Sequence, residues 1–67
     1  MIEVTNKTSG PLQLIVRSRK VARGFTTLVI PGRGKGKNVL LLEDELKTEY
    51  IDRLEHLQLI VTRKITN

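Results

Sequence analysis

Apart from one stretch, apolar residues in this sequence come in short runs, most of them closed by Gly, Pro, Asn or Ser, and the helical period appears only once. Ile2-Glu3-Val4-Thr5 alternates apolar with polar and predicts a first strand, and Asn6 to Pro11 is a dense turn signal. Leu12 to Arg17 places Leu12, Leu14 and Val16 on one face and Ile15 on the other, a second strand expected to pair with the first as a hairpin. Ser18 to Gly24 is a basic loop or strand extension. Phe25 to Ile30 is β-branched and aromatic almost throughout, so it predicts a third strand, with Phe25 buried; Pro31 ends it. Gly32 to Asn38 is a flexible cationic hairpin loop, and Val39 to Leu42 a fourth strand.

The period then changes. Leu46, Tyr50, Leu54 and Leu57, with Ile51 beside them, form one apolar stripe on a helix within Glu43–Leu57, capped at Thr48 or starting earlier near Asp44. Leu59 to Ile65 alternates again and closes the pattern as a last strand. The expected fold is mainly β (α+β): a single domain over residues 1–67, with a small antiparallel sheet or partly open barrel of four to five strands and one short helix before the last.

A chain of 67 residues buries too little surface for hydrophobic gain to exceed ordering entropy by much, and with no Cys it carries no disulfide or thiolate metal site. Of its 26 hydrophobic residues 22 are Ile, Leu or Val, which makes a compact aliphatic core without room for a large buried active site. Help from an oligomer or a partner is therefore expected. The longest apolar run, Val39 to Leu42, is far too short to span a bilayer, and no basic leader precedes Ile2, so no membrane role is expected.

Catalytic constellations are absent from the pattern. His56 is the single histidine, and neither Ser9 nor Ser18 lies in a nucleophile elbow. The acids Glu43, Asp44, Glu45, Glu49, Asp52 and Glu55 fit the polar face of the helix better than a catalytic carboxylate pair or a calcium loop. No enzyme activity, metal or cofactor is expected.

Charge is unevenly placed. Residues 1–38 carry eight Lys/Arg and one acid, residues 39–67 four Lys/Arg and six acids, for a net +5. Arg33, Lys35 and Lys37 alternate with glycines, yet Asn38 and a strand follow where a phosphate loop needs Ser/Thr and a helix, and Lys37 stands where a dinucleotide fingerprint needs glycine. If the two basic loops share an end of the sheet, these three and Arg17, Arg19, Lys20 and Arg23 form one candidate anion- or partner-binding patch. Its partner is nucleic acid through phosphate contacts, an acidic protein surface, or only solvent. Phe25 and Tyr50 are the only aromatics, too few for a base-stacking platform, so any nucleic-acid contact is directed at the backbone.

Several short motifs also resemble a known group. Val4-Thr5-Asn6 before a turn, Gly10-Pro11-Leu12, Leu28-Val29-Ile30-Pro31-Gly32, Tyr50-Ile51-Asp52-Arg53-Leu54 and Leu57-Gln58-Leu59-Ile60-Val61 resemble the short proteins encoded among the head and tail genes of tailed bacteriophages. Gln58 departs from that pattern, which has a helix-ending glycine there. The longer, more basic loop departs from it too. The resemblance implies a virion structural component, a capsid decoration or minor head/tail protein, that self-associates or docks on capsid or tail proteins. Its location would be the virion if it is phage-encoded and the cytoplasm otherwise.

Overall fold

A computed structural model describes residues 1–18, 20 and 24–66. It is mainly β, with five strands in two small antiparallel sheets and one helix before the last strand. The strands are β1 (Ile2–Asn6), β2 (Leu12–Arg17), β3 (Phe25–Ile30), β4 (Val39–Leu42) and β5 (Ile60–Lys64). A 3-10 turn (Asp44–Leu46) and the helix α1 (Glu49–His56) lie between β4 and β5. β1 is the centre of a three-stranded sheet in the order β4-β1-β5, while β2 and β3 form a separate hairpin; the two sheets do not close into a barrel.

The pairing corrects two expectations. β1 does not pair with β2: its neighbours are β4, with Ile2 opposite Leu42, and β5, with Ile2 opposite Lys64. β2 pairs instead with β3, from Leu12–Ile30 at one end to Arg17–Phe25 at the other. The 32–38 segment is therefore not a hairpin loop but a crossover from one sheet to the other. Both differences have one cause. Short aliphatic strands advertise their buried face by alternation, but their partners are chosen by turn geometry and by packing across the core.

One cluster fills the interior. Val4, Leu42 and Ile60 come from the three-stranded sheet, Leu14, Val16 and Ile30 from the hairpin, and Ile51 and Leu54 from α1. Leu12, Leu28, Leu40, Leu46, Tyr50 and Leu59 are half-buried around it. Leu57, expected on the apolar stripe, is exposed instead, because α1 ends at His56 and the chain turns there toward β5. Both proposed helix starts have a counterpart: Asp44 opens the 3-10 turn, and Thr48 is the N-cap of α1. The Thr48 hydroxyl makes no capping bond; it donates to the Ile15 carbonyl at 2.6 Å and fastens the helix start to the outer edge of β2.

The helix ends on a left-handed residue that is not glycine. Gln58 has φ 63°, its N–H donates to the Glu55 carbonyl at 2.9 Å, and the Leu59 N–H reaches back to the Leu54 carbonyl at 3.1 Å. These two bonds are the Schellman pair, and the conformation they need penalises a Cβ. Beyond this turn Glu55 accepts bonds from the backbone N–H and the hydroxyl of Thr62, which ties the helix to β5. Gln58→Gly is therefore expected to stabilise the fold by about 0.5–1 kcal/mol, read as a raised urea midpoint with an unchanged slope. A lowered midpoint would mean that the Gln58 side chain contributes more than its backbone costs.

Candidate functional site

The crossover that carries Arg33, Lys35 and Lys37 is held by a buried asparagine. Asn6 is fully buried at the end of β1. Its amide nitrogen donates to the carbonyls of Gly10 (2.9 Å), Ile30 (3.1 Å) and Pro31 (3.2 Å). Its side-chain oxygen accepts the Thr8 backbone N–H at 2.8 Å and the Thr8 hydroxyl at 2.7 Å. The Asn6 backbone N–H donates to the Asn38 carbonyl at 2.9 Å, and the Asn38 side chain returns a bond to the Asn6 carbonyl at 3.0 Å. One residue thus joins the 6–11 turn, the end of β3 and the start of β4, and so links the two sheets. A buried polar group is tolerable only when satisfied in this way.

Gly32 completes the anchorage. It is buried against the 6–11 turn, where a Cβ would lie 2.3 Å from the Ser9 carbonyl oxygen, and the next N–H, that of Arg33, donates to the Thr8 carbonyl at 2.9 Å. Past this point the segment leaves the body. Arg33, Gly34, Lys35, Gly36 and Lys37 are all exposed, and Gly34 takes φ 77°. The loop that reads as freely flexible is thus pinned at both ends and projects three cations from a fixed base. Among the described residues none of these three cations has an ion pair. Exposed Lys7 lies beside the same anchor, a fourth cation that the loop composition does not single out.

The remaining basic residues lie elsewhere. Arg17 and Lys20 are exposed at the far end of the hairpin, beside Leu46 of the acidic 3-10 turn. Arg19 and Arg23 lie outside the described residues. Five strand steps separate the Leu12–Ile30 pair from the Arg17–Phe25 pair, roughly 17 Å at about 3.3 Å per residue, twice the physiological Debye length of about 8 Å. Among the described residues, Arg17 and Lys20 therefore lie at the opposite end of the hairpin from Arg33, Lys35 and Lys37, which share their end with Lys7.

Comparison with protein-family models, with curated proteins and with solved structures finds no match.

The acids are largely engaged in holding the fold. Asp44 meets the N-terminal ammonium of Met1 at 3.0 Å, and Asp52 meets Lys47 at 2.7 Å. The hydrogen bond from Lys47 to Asp52 holds the Lys47 ammonium above its ordinary pKa, with burial working against it. Among the described residues no group of three His, Cys, Asp or Glu is placed to hold a metal ion. His56 is exposed at the end of α1.

Both outward sheet faces carry exposed apolar side chains. On the hairpin, Ile15, Phe25 and Val29 point away from the core, and Phe25, expected inside, is 61% exposed because its register places it beside Arg17 on the outer face. On the three-stranded sheet, Leu41 is exposed opposite Glu3, which pairs with Arg63 at 3.3 Å on its other side, and Val61 is exposed opposite Thr5. A shallow groove lined by Ile15, Arg17, Phe25, Thr48, Glu49 and Tyr50 runs between the hairpin and the start of α1.

Proposed function

We propose that this chain is a non-enzymatic assembly module, a small structural component of a tailed-phage particle that docks on other proteins of the particle. The observation that carries this role is the pair of outward sheet faces bearing Ile15, Phe25 and Val29 on one side and Leu41 and Val61 on the other. Exposed aliphatic and aromatic side chains on flat sheet surfaces suit protein contact, and each is costly to leave in water. Every buried side-chain N or O among the described residues has a hydrogen-bond partner. Among the described residues no helix is long and apolar enough to cross a membrane. The phage part of the proposal rests on the motif resemblance and makes a simple expectation: the reading frame lies among head and tail genes.

A second role, backbone-directed binding of nucleic acid, draws on a different observation. The cationic end gathers Lys7, Arg33, Lys35 and Lys37, and exposed Phe25 stands directly across from Arg17 at the other end. Size-exclusion chromatography with light scattering, with and without duplex DNA and at low and moderate salt, separates the two. The assembly role predicts an elution and mass unaltered by DNA. A DNA complex whose log affinity falls steeply with log salt would overturn it, and in that case Arg33→Ser/Lys35→Ser/Lys37→Ser should flatten the slope by roughly three.

A further inference from the structure

β4 is an edge strand of the three-stranded sheet. The Asn6 N–H donates to the Asn38 carbonyl, which fixes the alternation along the β1–β4 ladder: Leu40 and Leu42 exchange bonds with β1, while Val39 and Leu41 turn their N–H and C=O groups outward. Among the described residues no other strand pairs with that side. The four residues Val39-Leu40-Leu41-Leu42 carry neither the charge nor the proline that natural edges use to discourage pairing. The flanks, however, are charged, and with opposite signs. Lys35 and Lys37 precede the strand, and Glu43, Asp44 and Glu45 follow it.

We propose that two copies of this chain pair β4 to β4 about a two-fold axis at Leu40. An antiparallel strand that meets its own copy sets the start of one against the end of the other. With Leu40 facing Leu40 of the second copy, Val39 stands opposite Leu41, and the outward backbone groups of both residues are satisfied. The same register, carried just past the ends of the strand, places Lys37 opposite the extended Glu43 of the second copy. Lys37, Val39, Leu41 and Glu43 share one parity, so the charged pair and the apolar pair lie side by side on the outer face, at cross-strand spacing. Leu41, 55% exposed in the single chain, gains Val39 of the second copy as its neighbour. The two three-stranded sheets become one sheet of six in the order β5-β1-β4-β4-β1-β5.

Other strands do not offer this match. β3 carries Thr26 and Thr27, and Lys20 precedes it and Arg33 follows it, so self-pairing would set like charges against each other. The dimer deepens the assembly role by naming one partner. It does not share that role's test, which reads DNA retention.

Sedimentation equilibrium on the whole chain, from micromolar to millimolar, decides the matter. The wild type is expected to pass from monomer to dimer with rising concentration. Lys37→Glu should weaken dimerisation about tenfold, since two symmetric pairs become like-charged, and Lys37→Glu/Glu43→Lys should restore it to within about threefold. A synthetic chain N-methylated at Leu41 loses an outward N–H that the single chain does not use; it should stay folded by amide NMR and remain monomeric. A wild type that is monomeric throughout overturns the proposal. So does a dimer indifferent to the charge reversal, or one that survives N-methylation.

Discussion

Asn6→Asp is expected to bring the protein to the edge of unfolding at neutral pH and to do much less harm in acid. The substitution keeps the acceptor that holds Thr8 but turns the donor end into an oxygen facing the carbonyls of Gly10, Ile30 and Pro31, at a position with no solvent exposure. An uncompensated buried charge costs about 3–5 kcal/mol, against a total stability of roughly 3–10 kcal/mol for a domain of this length. That cost raises the folded-state pKa of the introduced carboxyl above its unfolded value of about 3.9. The folded variant then binds a proton that the unfolded chain has released, so stability falls as pH rises from about 4 toward the raised pKa. Below about pH 4 the carboxyl is neutral in both states, and its O–H restores one donor. Urea melts of both proteins at pH 3.5 and pH 7 measure the effect as a stability gap that widens with pH. An equal gap at both values would mean that the three carbonyls are not what Asn6 serves. Asn6→Ala is the control, destabilised by the orphaned carbonyls with no added pH dependence.

Gly32→Ala is expected to cost about 3 kcal/mol, a large effect for one methyl group near the surface. The new Cβ would overlap the Ser9 carbonyl oxygen at 2.3 Å and carbon at 2.4 Å and approach the Gly10 nitrogen at 2.7 Å. These are backbone atoms, so no side-chain rotation relieves the clash. Either the crossover or the 6–11 turn must withdraw, and the Arg33–Thr8 bond is lost with it. The signature is twofold: a lower urea midpoint, and faster hydrogen exchange at the Arg33 amide than at Leu14 or Val16 in the core. Gly34→Ala, with nothing within 4 Å of its Cβ but φ 77°, should cost only about 1 kcal/mol. If the two substitutions prove equal, close approach at Gly32 is not the constraint.

Local chemistry was legible in the sequence, and long-range partnership was not. β3 and β4 have the bounds that composition and punctuation indicate, since Pro31 and Glu43 stop them whatever they pair with. The choice of β4 and β5 as the neighbours of β1 depends on a core that three separate segments build together, and no window of sequence contains it. Phe25 misleads for the same reason: β propensity describes the strand, and only the register against Arg17 decides which face the ring takes. Asn6 two residues before Thr8 is a readable turn signal, but its burial depends on Ile30 and Pro31, which lie far along the chain. The candidate site divides in the same way. The charges of Arg33, Lys35 and Lys37 are plain in the sequence, whereas their separation from Arg17 and Lys20 follows from a strand pairing that had to be seen.

The central position of β1 also bears on how the chain reaches its native state. The β2–β3 hairpin joins near neighbours, so it closes cheaply and early. β1 has no such shortcut, because both of its flanking strands lie downstream and one of them, β5, follows every other element. Its ladder must wait for two large loops to close, and the entropy of those closures falls on the rate-limiting ascent. A body this small would ordinarily fold in microseconds to milliseconds if its contacts were local; with this connectivity it belongs with the slower β proteins, on the order of milliseconds to seconds. During that interval β1 is a bare, uncharged ribbon but for Glu3, and the late arrival of β5 is what finally hides it.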